Sequence, residues 1–408
     1  METKHRCKTV VILAFYFPPD NLAGGARPFR FYKYLPRFGY ETRVVTVAPQ
    51  PDAASPGNIR YVPHPKDRGA LPRFSERLLR RFVAPNDDGI AWFPYAAAAA
   101  RRWIEQDGAS VVLSTSPSVS THLAAMQLKR RYGLKWIADF RDPVVGSPFR
   151  KGSQRFDALL EPRIFDQADA LIANTDALER TWLDRYPRHR RKISLLWNGF
   201  DPEEAIAAAP IPNREHRVLT HTGDIYGQRH PGQLVAAMTR LNQRGVLDPG
   251  KLRIQLVGRF LPEWPPESAA AMQTLVESRQ IECSGEAVPR AEAIEALAAS
   301  DYLLLLDVSG RQAGLQVPSK TFEYLQIGRP VLTFTTRYSP LERILERSGV
   351  PGVCIYESDD AGTVDEKMMR FLRLPTDPVR AADWFWEQFD GLNQARQLAA
   401  RIGELTAR

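Results

Sequence analysis

With 408 residues, 44% hydrophobic and 25% charged, the chain is long enough for two cores and too apolar for a disordered tail. Three scattered cysteines, Cys7, Cys283 and Cys354, exclude a disulfide framework or cysteine metal cluster and fit a reducing compartment. The net charge of +8 is uneven, since residues 1–200 hold 32 Lys and Arg against 19 Asp and Glu and residues 201–408 hold 23 against 28, which points the first half at an anionic partner such as phospholipid or a phosphorylated acceptor.

The first segment, "KHRCKTVVILAFYF", has a basic start and a short apolar run like a signal peptide. "PPD" follows at once and no small-residue cleavage site is placed after it, so it reads as a buried strand. No apolar run nears the ~20 residues that span a bilayer. A cytoplasmic location follows, with contact to the inner face of the membrane at most. Zinc-finger spacing, a recognition helix and aromatic–basic interleaving are all missing, so no nucleic acid partner is expected.

The loop "FPPDNLAGGARPF" puts Gly24 and Gly25 before a helix starting near Arg27, where backbone approaches a ligand closely or simply turns. It has neither G-x-G-x-x-G nor G-K-[ST], which disfavours a dehydrogenase or a P-loop. In "LPRFSERLLRRFV", Phe74, Leu78 and Phe82 recur at helical spacing beside Arg73, Arg77, Arg80 and Arg81. Residues 71–83 are then a basic amphipathic helix on anionic lipid, or an ordinary packed helix with solvated arginines. "STSPSVSTHLAAM" places His122 at a helix start after a strand, and "IADFRDPVVG" puts Arg141 and Asp142 just past another; a ligand role competes with helix-start polarity and a local ion pair.

Strand-like runs "TVVILAFYF", "ETRVVTVA", "SVVLSTSP", "LKWIADF", "ALIANT" and "KISLLWNG" alternate with helical "RPFRFYKYLPRF", "PYAAAAARRWIEQ" and "STHLAAMQLKRRYG". Continuous apolar strands alternating with helices describe an α/β fold with a parallel sheet covered on both faces. Residues 1–203 make one such domain. The Ala- and Pro-rich stretch 204–215 is the linker, and the alternation restarts over 216–378 with "RVLTHTG", "LRIQLVG", "IECSG", "DYLLLLDV", "RPVLTFT" and "GVCIY". Residues 379–408 are helical, and Trp384, Phe385, Trp386 and Phe389 need a surface to cover, which predicts a tail packing back towards the first domain and bridging the two.

In the second half, "HTGDIYGQRHPGQLV" is a strand, a glycine loop at Gly223 and a helix with Arg229 near its start. "LVGRFLPEW" repeats this with Gly258 and Arg259. The most informative stretch is "GLQVPSKTFEYLQIGRPVLTF", residues 314–334. With Ser319 as N-cap a capping box needs Glu or Gln at 322, which is Phe322, so Glu323 falls one residue late. Lys320 and Glu323 stand among Phe322, Tyr324, Leu325 and Ile327, so this helix is packed and its charges need partners. A phosphate at the helix N-terminus and the Lys320 ammonium, with a polyol on Glu323, describes a nucleotide sugar.

On "FPPDNLAGGARPFRFYKYLPRFGYETRVVT", "SPSVSTHLAAMQLKRRYGLKWIADFRDP", "LIANT", "WNGFD" and "VPSKTFEYLQIGRPVL", nearly the whole chain resembles retaining glycosyltransferases of the GT-B fold, specifically the family 4 group that builds bacterial surface polysaccharides. The resemblance implies two Rossmann-like domains facing across a cleft, acceptor on the first and nucleoside-diphosphate sugar on the second. It implies a metal-independent hexosyl- or related transferase with a lipid-linked or saccharide acceptor and no cofactor. Its catalytic set is Arg229, Lys320, Glu323 and His122. Donor contacts are Gly24, Gly25, Gly223, Gly258, Arg259, Val288, Gly314, Leu315, Gln316 and Ser319, together with Arg229, Lys320 and Glu323; Arg141 and Asp142 join His122 on the sugar or acceptor side. Two departures stand out. Leu315 replaces a glutamate that many relatives carry eight positions before the Glu323 equivalent, and Gly223-Asp224-Ile225 replaces a Gly-Arg-Leu, moving the expected arginine to Arg229. A nucleotide-sugar epimerase of the same fold and a non-catalytic partner subunit are the competing readings.

Overall fold

A computed structural model describes residues 8–19, 24–50, 55, 57–82, 87, 89–147, 155–227, 231–262, 266–307 and 313–407. The chain divides into two compact units, Met1–Pro202 with Gln388–Arg408, and Glu203–Glu387.

The first unit holds β1 (Lys8–Ala14), β2 (Tyr40–Val47), β3 (Ile59–Val62), β4 (Val111–Thr115), β5 (Lys135–Phe140), β6 (Ala170–Ala173) and β7 (Ile193–Leu195), with α1 (Ala26–Tyr34), α2 (Ala70–Phe82), α3 (Phe93–Glu105), α4 (Ser120–Tyr132), α5 (Arg155–Gln167) and α6 (Asp176–Arg185). The strands run β3-β2-β1-β4-β5-β6-β7 and every pairing is parallel. Alternate residues of each strand feed two cores: Val11 and Leu13 point to one face, Val10 and Ile12 to the other. Both faces are therefore covered, which is why these strands read as unbroken apolar runs.

The second unit repeats the plan with β8 (Arg217–Thr222), β9 (Ile225–Gly227), β10 (Leu252–Pro262), β11 (Ile281–Gly285), β12 (Tyr302–Leu306), β13 (Val331–Thr335) and β14 (Gly352–Tyr356). Its helices are α7 (Gly232–Gln243), α8 (Pro266–Glu277), α9 (Arg290–Ala298), α10 (Lys320–Ile327), α11 (Pro340–Ser348) and α12 (Ala361–Phe371). The order is β11-β10-β8-β12-β13-β14, with β9 on the far end of β10. Both units are doubly wound, and in each the strand order reverses beside the first strand, at β1/β4 and β8/β12. Ligands of such sheets bind at the carboxyl ends of these strands.

Two helical segments are shorter than their sequence pattern. Pro36 has no N–H to continue α1, which passes into a 3-10 turn over Leu35–Phe38. The tail breaks at Asp390, which ends α13 (Asp383–Phe389) and caps α14 (Gly391–Thr406) by accepting the Asn393 N–H at 2.9 Å. Leu398, Ala399, Ile402 and Leu405 of α14 then join the core of the first unit. Strand β3, half-buried along most of its length, has too weak a pattern to be expected from sequence.

One buried ion pair ties the first sheet together. Arg27, on α1, is fully buried and grips Asp139 of β5 through Nε at 2.9 Å and a second nitrogen at 2.7 Å. The same guanidinium donates to the Leu196 carbonyl at 2.9 Å and the Trp197 carbonyl at 2.6 Å, and Asp139 also accepts from Thr115 on β4 at 2.7 Å. One charge pair thus joins α1, β4, β5 and the end of β7. His122, on α4, is a second buried polar group. It lies 2.8 Å from Ser114 Oγ and against the Phe140 ring, and burial pushes its pKa down to about 3 despite Asp139.

Two stability changes follow. Removing one partner of a buried pair strands the other charge, so Arg27→Met costs about 3–5 kcal/mol and Arg27→Met/Asp139→Leu costs less than the sum of its single variants, as read from urea midpoints. His122 is neutral when folded and takes a proton more readily when unfolded. Its contribution is complete above its unfolded pKa of ~6.5 and is lost as pH falls towards about 3. Melting temperatures recorded from pH 7 to pH 4 fall less steeply for His122→Phe than for the parent.

Candidate functional site

The polar groups of the second unit converge at the carboxyl end of β8. After Thr222 the chain turns through Gly223 at φ +91°, and Gly258 on β10 sits at φ +139°. A Cβ on Gly258 would lie 2.7 Å from the Gly223 carbonyl carbon, and one on Gly223 would lie 3.0 Å from Lys320 Nζ. Gly258 therefore lets one backbone segment pass over another, and Gly223 lets the lysine ammonium settle on it. Lys320 starts α10 and donates to the Thr222 carbonyl; its Nζ is also 3.0 Å from His221 Nε2. His221 is fully buried with Nδ1 2.9 Å from the Leu304 carbonyl of β12. A carbonyl only accepts, so Nδ1 carries the imidazole proton and Nε2 receives the ammonium. The Tyr324 hydroxyl, also on α10, accepts the Thr222 N–H at 3.1 Å. The helix is thus pinned to the strand end at two points.

Around this corner, Asp224 accepts the Arg259 backbone N–H at 3.1 Å and its Nε at 3.0 Å, and these bonds hold the carboxyl below its usual range. Glu323 lies one helical turn beyond Lys320, half-buried, with Oε1 3.1 Å from Arg290; the other arm of Arg290 reaches Glu204 at 3.1 Å. Burial raises the Glu323 pKa, and Arg290 and then Lys320 oppose it. Ser319 precedes α10 without capping it through its side chain. Gln316 has its amide nitrogen buried with no hydrogen-bond partner among the described residues. Gly314 and Leu315 form a 3-10 turn beside it, and Val288 is half-buried in the loop leading to Arg290. Arg229 lies outside the described residues. Among the described residues no three His, Cys, Asp or Glu side chains are grouped to hold a metal.

In the first unit, Gly24 and Gly25 follow β1 and precede α1, which starts without a side-chain cap. A Cβ on Gly24 would lie 2.5 Å from the Tyr16 ring, and one on Gly25 3.2 Å from the Phe17 backbone, so packing alone asks for glycine here. Arg141 donates its backbone N–H to Ser116 at 2.8 Å; burial lowers its pKa and raises that of Asp142. His122 is not beside them at the surface. It is fully enclosed, and neither ring nitrogen reaches solvent, so the structure gives it a packing role in place of contact with a reacting sugar. The sequence pattern missed Arg27 and Arg30. Arg30 is buried, donates to Asn198 at 2.6 Å, and has its pKa pushed down to about 9 by burial and by the charges of Arg27 and Arg141. Two arginines interleaved with the aromatic residues of the helix after Gly24-Gly25 were the available signal.

Residues 29–204 match the model of Glycosyltransferase Family 4. Curated protein sequences give no match. Among solved structures the chain is similar to sucrose-phosphate synthase from Thermosynechococcus elongatus, with a TM-score of 0.66, 14% identity, and 98% of this chain and 99% of that one covered. It is similar to a glycosyltransferase from Rickettsia africae, with a TM-score of 0.64, 11% identity and 98% of both chains covered. A third is Anabaena HepE in complex with UDP, with a TM-score of 0.62, 14% identity, and 97% of this chain and 100% of that one covered. At these identities the solved structures establish the fold. The fold of the chain is therefore GT-B, and residues 29–204 within it resemble Glycosyltransferase Family 4.

Proposed function

We propose that this protein transfers a sugar from a nucleoside-diphosphate sugar to an acceptor, with retention of anomeric configuration and without a metal ion, in the building of a surface glycan. The observation that carries the reading is the Lys320 ammonium seated on the Gly223–Gly258 corner at the carboxyl ends of β8 and β10. A diphosphate laid on that corner would meet a fixed positive charge, two backbone segments with no side chains in the way, and the uncapped start of α10. Glu323 stands one helical turn further along α10, and its carboxylate would accept the ribose hydroxyls. Anabaena HepE, similar in fold over its whole length, was solved with UDP.

The chemistry asks little covalent work of the protein. As the sugar–phosphate bond breaks, negative charge grows on the departing diphosphate, and a cation already held in place stabilises it without reorganising. Lys320 is so held, by His221 and the Thr222 carbonyl. The acceptor hydroxyl then needs orienting against the same face of the sugar that the diphosphate leaves. The Gln316 amide nitrogen, buried without a partner among the described residues, is a donor suited to the sugar hydroxyls in place of the glutamate that Leu315 replaces. A saccharide or lipid-linked acceptor is assigned to the first unit, where Arg141 and Asp142 stand past β5.

The test is to supply a panel of nucleoside-diphosphate sugars with a membrane extract as acceptor, following nucleoside-diphosphate release and the anomeric coupling of the product by NMR. Release that depends on acceptor, with the donor's anomeric configuration kept, supports the reading. An altered nucleotide sugar formed without acceptor would make the protein an epimerase, and no turnover with any donor would make it a binding subunit. Donor affinity also carries a pH signature. An ionised Glu323 is the acceptor, and its pKa is raised, so binding weakens as pH falls through a range above that of an ordinary glutamate, ~4.3. Glu323→Gln binds several-fold more weakly near neutral pH and loses this dependence, as measured by calorimetric titration from pH 8 to pH 5.

A further inference from the structure

Helix α2 (Ala70–Phe82) is turned inside out. At about 100° per residue, positions 71, 74, 78 and 82 form one stripe and position 76 falls nearly opposite. A helix on a globular surface ordinarily buries its apolar stripe and leaves its charges in water. Here Glu76 is 2% exposed, while Leu71 is 77%, Phe74 60%, Leu78 47% and Phe82 70% exposed. The rotation is fixed chemically. Glu76 accepts the backbone N–H of Gly89 at 2.7 Å and of Ala91 at 2.8 Å, and Leu79 packs on the core beside it. Rolling the helix to bury the stripe would break both bonds and orphan two N–H groups, each costing about 1–3 kcal/mol. The outward apolar face is a constructed feature of the first unit.

Its surroundings select what covers it. Residues 66–82 carry six basic side chains, Lys66, Arg68, Arg73, Arg77, Arg80 and Arg81, against Asp67 and the buried Glu76. Arg77 and Arg81 are exposed, and Arg81 lies over the Phe82 ring at 5.4 Å. The complement of an apolar stripe edged with arginines is a surface apolar inside and anionic outside. A second copy of the same helix would set arginines against arginines. We propose that α2 docks the first unit on an anionic lipid bilayer, with Leu71, Phe74, Leu78 and Phe82 at the headgroup–acyl boundary and Arg77 and Arg81 on lipid phosphates. The inference is independent of the transfer chemistry, and its test uses no donor.

The full chain is sedimented with vesicles of phosphatidylcholine alone and with vesicles containing phosphatidylglycerol, at low and high salt. The parent pellets with the anionic vesicles, far less with the neutral ones, and loses binding as salt rises. Arg77→Gln/Arg81→Gln lowers partitioning roughly thirtyfold, from ~1 kcal/mol for each basic residue near an anionic surface. Phe74→Ser/Phe82→Ser abolishes sedimentation while keeping the parent's melting temperature, because both rings are already in solvent. Equal binding to both vesicle types, or unchanged binding by the serine variant, overturns the proposal. So does a parent that ignores vesicles but sediments in solution as a dimer that the serine variant dissolves, which would assign the stripe to a second copy.

Discussion

Everything in the second unit's candidate site depends on how one ammonium is held. Lys320 is not a flexible surface lysine reaching for a ligand; its Nζ is set by the Thr222 carbonyl and His221, and His221 is set in turn by the Leu304 carbonyl. This relay ties the first residue of α10 to β8 and β12, the two strands between which the sheet order reverses. A cation fixed in advance costs no conformational entropy when a negative group arrives, and that is where its strength as a ligand contact lies. The glycines at 223 and 258 are consequences of the same arrangement, since any side chain at either would push the ammonium or the neighbouring strand away.

The first unit solves a related problem with the opposite result. Its carboxyl strand ends also gather charge, but Arg27 is engaged by Asp139 and two carbonyls, and one nitrogen of Arg30 by Asn198. These arginines organise the sheet end, leaving Arg141 and Asp142 as the half-exposed polar pair nearest to it. Among the described residues the unit's other arginines and lysines are exposed or half-buried, and one group of them surrounds α2. The excess positive charge of the first half is thus divided between a buried structural use and a peripheral one.

Much of the fold was legible because parallel strands covered on both faces must be apolar throughout. Twelve runs of that kind in the sequence correspond to twelve of the strands; the short β3 and β9, which carry little burial pattern, do not stand out. Lys320 and Glu323 were legible for a similar reason, as charges embedded in an apolar helix. Their partners were not. His221 sits inside a strand reading "RVLTHTG", where a histidine bound to a lysine and one filling space look alike, and Arg290 meets Glu323 from a separate helix. His122 shows the converse. A polar residue at a helix start after a strand suits a ligand site, yet the turn of the helix directs it into the core against Phe140. Which face a residue takes depends on helix rotation, which sequence periodicity alone does not fix: Glu76 holds α2 with Leu71, Phe74, Leu78 and Phe82 outward and Leu79 against the core.

The central claim is that the fixed ammonium of Lys320 reads the phosphates of the ligand. Calorimetric titration of a nucleoside, its monophosphate and its diphosphate into the parent and into Lys320→Met tests it most directly. The account predicts that affinity rises with each phosphate in the parent, and that the variant loses roughly tenfold to a hundredfold for the diphosphate, from the ~1.5–3 kcal/mol of a charged hydrogen bond, with the nucleoside unaffected. A variant that binds the diphosphate as tightly as the parent, at equal melting temperature, would contradict it.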